Sequence, residues 1–158
     1  MQCAFQCSAT DSWLHGQYLP PGGDWHLDGF ISNGGQPDGS DSRNSFVHNT
    51  IACDNPADGS GGCSGNIGLF ADFAPLNGFT FDHNLFPASP GGSYCFYGGS
   101  ASNKPFGGQT SHIVVVNNVF ARGRNGRCGT AGPVAAFDAT RPGNVWRNNT
   151  WDDGAPLT

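Results

Sequence analysis

Residues 79–86 read FTFDHNLF. Phe79 and Phe81 alternate with polar neighbours, as in a strand with one buried face. The pair His83-Asn84 breaks the alternation, and an apolar residue soon follows. The same motif recurs as SFVHNTI (45–51), IVVVNNVF (113–120) and VWRNNTW (145–151). The Asn that closes each pair falls at Asn49, Asn84, Asn118 and Asn149, in steps of 35, 34 and 31 residues. SATDSWL (8–14) is a fainter copy, with Asp11 in the Asn place.

One corner residue repeated at near-constant spacing is the mark of a solenoid. Asn tolerates the left-handed backbone that a sharp corner needs. Its amide also donates and accepts, so stacked copies can satisfy one another in a ladder. A second strand lies between successive corners, in HLDGFIS, NIGLFAD, SYCFYGG and PVAAFDA. A short third strand is expected after each Asn. Gly- and Ser-rich stretches such as SNGGQPDGSDSR and GGSASNKPFGGQ supply projecting loops. A β-sandwich also uses many short strands but demands no fixed corner residue. The pattern therefore predicts an all-β chain, a right-handed parallel β-helix (β-solenoid) of about four to five coils with long projecting loops and an Asn ladder. Phe46, Phe81, Val115 and Val145 are the expected interior neighbours of the ladder.

Composition agrees with this reading. Length predicts a single domain over residues 1–158. The acidic residues are all Asp, with no Glu and one Lys. Asp suits turns and weakens helix interiors. A net charge of −5 argues against nucleic acid, which calls for a basic stripe. No apolar run is long enough to span a membrane. Six Cys suggest disulfides and a secreted, extracellular location. Cys53 and Cys63 bracket a short loop and form the first expected bridge. Cys95 with Cys128 is the second, which leaves Cys3 with Cys7. The opening MQCAFQCSATDSWLHG is already strand-like, so the chain is expected to be an N-terminally truncated, C-terminal portion of a longer protein.

The Asn corners, the strand pattern and HLDGF together resemble the right-handed parallel β-helix superfamily of pectate lyases and polygalacturonases. The likeness is greatest to secreted bacterial β-helix repeat proteins. It covers nearly the whole chain and is specific for fold; the superfamily holds lyases, hydrolases, phage spikes and adhesins. The resemblance implies a polysaccharide partner in an outward groove. Polygalacturonase-like enzymes carry Asn-x-Asp-Gly with a catalytic Asp, and HLDG puts His26 on that Asn and Asp28 on that Asp. Their Asp pair on the next coil is reduced to Asp72, and their Gly-His-Gly and Arg-x-Lys segments are absent. The Arg-x-Pro-x-x-Arg segment of pectate lyases is absent too, since TRPGNVWR (140–147) has other spacing.

Asp28, His26 and Asp72 are accordingly the candidate catalytic residues, as acid/base groups or paired carboxylates. The catalytic reading expects Asp28 at the groove edge, at least partly solvent-accessible and within reach of His26 or of a polar group of the next coil such as Asp72. The plain alternative, favoured by a buried Asp28 bonded only to local backbone amides, makes it a turn former before Gly29. Trp25 and Tyr97 are candidate sugar contacts, with Asp138 at the end of a comparable strand. Arg122, Arg124 and Arg127 could clamp uronate carboxylates or simply form a solvated loop. Calcium is a possible ligand of the carboxylates or of DNPADGSGGC (54–63), although that spacing matches no established loop. The expected function is cleavage of an extended, uronate-containing or neutral glycan, by elimination or hydrolysis. The alternative is a non-catalytic glycan-binding or structural β-helix of the adhesin or spike type. The protein is expected to be a monomer, or to stack through exposed coil ends.

Overall fold

The computed structural model describes residues 1–55, 61–89 and 91–158. Strands recur in threes. The first turn holds β1 (Ser8–Thr10), β2 (Trp13–Leu14) and β3 (His26–Ser32). The second holds β4 (Asn44–Val47), β5 (Thr50–Ile51) and β6 (Gly62–Leu69). The third holds β7 (Asn77–Asp82), β8 (Leu85–Phe86) and β9 (Tyr94–Gly98). Next come β10 (Ser111–Val116), β11 (Val119–Phe120) and β12 (Gly132–Ala135), then β13 (Val145–Arg147) and β14 (Thr150–Trp151). Each strand pairs in parallel with its counterpart one turn on, giving three stacked sheets. Sheet 1 contains β3, β6, β9 and β12; sheet 2 runs from β1 to β13; sheet 3 runs from β2 to β14. The chain is thus a parallel β-solenoid of about four turns, and both the second strand and the short third strand of each repeat are present.

The ladder is present too. Asn49 Nδ2 donates to Asn84 Oδ1, Asn84 Nδ2 to Asn118 Oδ1 and Asn118 Nδ2 to Asn149 Oδ1, each at 3.0 Å. Each Oδ1 also accepts the backbone N–H of the ladder residue before it, at 2.8–3.0 Å. The second amide hydrogen reaches a carbonyl of the preceding turn, as from Asn84 to Phe46. All four Asn are buried.

The structure corrects three details of the corner. The left-handed residues are His48, His83, Asn117 and Asn148, at φ of 54–57°, one position before each ladder Asn. The bend is made by the exposed first residue, while the second turns inward to bond. In the first turn Trp13 pairs with Thr50, so Ser12 and not Asp11 stands in the Asn place. Asp11 takes the left-handed corner, at φ 51°. In the last turn Val115 pairs with Trp146, so Trp146 replaces the expected Val145 inside. Trp146 packs its ring 5.8 Å from Phe120 and 5.4 Å from Phe137.

The interior consists of stacked columns. Phe46 and Phe81 stack at 5.2 Å, and Phe86 meets Phe120 at 4.8 Å. Phe81 meets Phe96 edge-on at 5.3 Å. Seven Phe side chains are fully buried, each removing apolar area worth roughly 2–3 kcal/mol. This explains how a chain poor in aliphatic residues fills a core.

All three expected disulfides form. Cys53–Cys63 closes 10 residues and Cys95–Cys128 closes 33. Closure entropy predicts a contribution of about 3 kcal/mol for the first and somewhat more for the second. In thermal melts, Cys95→Ala/Cys128→Ala should therefore lower Tm more than Cys53→Ala/Cys63→Ala. The reverse order would show that closure entropy does not set their contributions. Residues 56–60 of the loop read for calcium lie outside the described residues.

Candidate functional site

The outer face of sheet 1 carries a cleft of about 440 Å³, lined by His26, Ser64, Phe70, Asp72, Tyr97 and Lys104, with Ile31 and Asn33 at its edge. Period-two alternation accounts for this lining. Ile67 and Leu69 point into the core, so Gly68, Phe70 and Asp72 face outward. Ile31, Gly68 and Tyr97 occupy one register across β3, β6 and β9.

Asp28 lies beside this cleft, and its placement depends on two glycines. A side chain on Gly29 would meet Ile51 and the carbonyls of Asn66 and Ala52, so this position faces the interior without room for a Cβ. That irregularity lets Asp28 point outward although Phe30, of the same parity, is buried in the core. A Cβ on Gly68 would stand 2.9 Å from the Asp28 carboxyl and 2.6 Å from Phe70 Cε2. The carboxyl thus fills the space that Gly68 leaves, next to the Phe70 ring. Phe70 in turn packs 5.3 Å from Tyr97. Lys104 Nζ sits 5.2 Å over the Phe70 ring and donates to Asp72 Oδ1 at 2.8 Å.

Asp28 is outward but not accessible, contrary to the exposure expected of it. It is only 4% exposed. Neither of its oxygens makes a well-formed hydrogen bond among the described residues, although the Gly65 amide approaches them. Burial pushes its pKa up to about 8. The Gly65 amide and the Met1 amino group favour the charged form without offsetting burial. Burial therefore favours the protonated form of Asp28. Tyr97 is also raised, first by burial, with the nearby Tyr94 and Asp28 adding to the shift and a Ser93 hydrogen bond opposing it. A buried carboxyl, a phenol, an imidazole and a carboxylate–ammonium pair thus gather at one place. Two carboxyl groups in contrasting environments are the usual means of dividing acid and base roles.

The other expected residues lie elsewhere. Trp25 precedes β3 and is exposed, outside the lining of the cleft. Asp138 binds Arg141 at 3.2 Å and the Thr140 hydroxyl at 2.6 Å, and these bonds lower its pKa, Thr140 more than Arg141. Arg141 also donates to the Gly108 carbonyl, in the loop that carries Lys104. Arg122 pairs with Asp153 at 2.9 Å and covers Trp151. Arg124 lines a separate hollow with Ala88 and Asn125, and the Arg127 amide donates to Asn125. The three arginines do not converge on the sheet 1 cleft. Among the described residues, no three His, Cys, Asp or Glu side chains gather as metal ligands. Among the described residues, no helix is long and apolar enough to cross a membrane.

Sequence reading missed Lys104 and Phe70. Phe70 was accessible to it, two residues before Asp72 on an outward parity. Lys104 is the only Lys of the chain, but its reach across the cleft depends on the path of a long loop.

No known family model, curated protein or solved structure matches the chain.

Proposed function

We propose that this solenoid is a secreted, polysaccharide-active protein of the pectate lyase and polygalacturonase-like kind, acting on an extended glycan along the outer face of sheet 1. One observation carries this reading: the buried Asp28 carboxyl, without a well-formed hydrogen bond, beneath a cleft lined by His26, Tyr97 and the Asp72–Lys104 pair. A buried acid without such a bond is costly to keep, and such groups concentrate at sites of proton transfer. Asp28 would serve as the proton donor. Asp72, held by Lys104, would be the second carboxyl, and Phe70 and Tyr97 would offer faces to a sugar ring. Three disulfides are compatible with an extracellular setting.

The covered position of Asp28 favours a second reading, a glycan-binding or structural solenoid without catalysis. Cleavage requires Phe70 to move aside and bring substrate within reach of the acid; binding does not. The two readings separate on a panel of homogalacturonan, alginate and neutral glycans, followed by absorbance of unsaturated products and by reducing ends. The catalytic reading expects products from at least one glycan and a loss of a hundredfold or more in turnover for Asp28→Asn. Retention of a glycan without products would establish the binding module instead.

A further inference from the structure

A larger cleft, of about 610 Å³, runs along the corner between sheets 2 and 3, away from the residues assigned above. One wall is the outward column Trp13, Thr50, Leu85 and Val119, in register across β2, β5, β8 and β11. The other wall begins with the left-handed corner residues Asp11, His48 and His83. Those side chains are tied in place: His48 to Asp11 at 2.5 Å and His83 to Asp82 at 2.6 Å.

Trp13 is the unusual member. It is 65% exposed, yet its ring is fixed by stacking on His15, with centroids 3.8 Å apart. His15 is itself held near Asp54, at 3.5 Å. Trp13 and His15 are two positions apart and share a face of the chain, with His15 on the side away from the corner. The other face of the indole is thus directed to the cleft. A solvated aromatic plane stacked on His15, beside hydrogen-bonded polar groups, suits the C–H face and hydroxyls of a sugar ring. Successive coils rise by about 4.8 Å, close to the length of one pyranose. The lining has no Lys or Arg and one carboxylate, Asp11, while Asp82 stands behind His83. That charge disfavours uronates.

We propose that this corner cleft is a binding site for a short neutral oligosaccharide, with Trp13 as its stacking platform and His48, His83 and Thr50 as its polar contacts. The site is independent of the reading given for Asp28 and would anchor a neutral stretch of glycan on another side of the solenoid.

The test titrates the full chain with hexasaccharides of glucose, xylose, mannose and galactose, and with hexagalacturonate. NMR follows the indole N–H of Trp13, identified by its loss in Trp13→Ala. The expected result is a saturable shift with at least one neutral hexamer and none with the uronate. Affinity, measured for every variant by titration calorimetry, should fall tenfold or more in Trp13→Ala and be unchanged in Asp28→Asn. Trp13→Ala should keep the wild-type melting temperature, since the ring is outside the core, and Trp13→Phe should retain part of the affinity. The proposal is overturned if no neutral hexamer shifts this indole at millimolar concentration. It is equally overturned if Trp13→Ala binds undiminished, or if hexagalacturonate is the better ligand. None of these outcomes bears on catalysis at Asp28, which is read from products.

Discussion

Asn84→Ala is expected to destabilise the protein by about 4 kcal/mol. Asn84 sits in the middle of the ladder and makes four side-chain hydrogen bonds. Alanine deletes them all. It leaves the Asn49 amide, one hydrogen of the Asn49 side chain and the Phe46 carbonyl without these partners, in a place water does not reach. Each stranded buried group costs on the order of 1–3 kcal/mol. Asn49→Ala should cost less, because the group its Oδ1 serves is Ser12 N–H, at the partly exposed first turn. Urea denaturation of the two variants against wild type would check this. Equal midpoints for Asn84→Ala and wild type would mean that the ladder contributes nothing. Solenoids can unfold turn by turn, so a lower slope in Asn84→Ala would point to separate melting of the two halves.

The second large effect is a pH dependence. Asp28 has a folded pKa of about 8, against about 4 for an unfolded Asp. Between these values the folded state binds the proton more tightly than the unfolded state. Stability from this group is therefore full below about pH 4, falls as pH rises, and levels off above about pH 8. The loss over that window is about 5–6 kcal/mol if the whole shift is expressed. Asn at position 28 cannot ionise. Asp28→Asn should match or trail the wild type near pH 4.5 and exceed it clearly near pH 8. The difference between the two proteins removes the contribution of the five histidines, which both share. Parallel stability curves from pH 4.5 to 8 would show that Asp28 is solvated in solution. A variant more stable yet less active would have the signature of a residue kept for chemistry at a cost to folding.

The fold could be read from the sequence because its signal is periodic. The ladder Asn recur at nearly even steps, and the Phe residues three positions before Asn49 and Asn84 point inward as alternation requires. Register errors appeared where a turn departs from the consensus. SATDSWL has no Asn to fix its phase, and VWRNNTW offers two apolar residues where one must be inside. The left-handed residue was misplaced by one because His, Asn and Asp all tolerate that conformation. At the candidate site, parity placed Asp72 and Tyr97 on one outer face, whereas Asp28 shares the parity of buried Phe30 and is turned outward only by the irregularity at Gly29. Burial of Asp28 could not be read from parity. It depends on Phe70 lying beside it and on the absence of a side chain at Gly68, which are contacts between turns. The Arg cluster was contiguous in sequence, but its loop follows sheet 3 and so opens on another side of the solenoid.

The corner between sheets 2 and 3 is two residues long in every turn, whereas the other two connections vary from seven to twelve residues. The molecule is in effect bound along one spine, like a book with pages of unequal width. Length changes are confined to the connections at either end of each sheet 1 strand. Those connections include the loop that brings Lys104 over Phe70. Drift in loop length can therefore rework the walls of the sheet 1 cleft while the binding along the spine stays as it is. Recognition and architecture are inherited from different edges of the same coil.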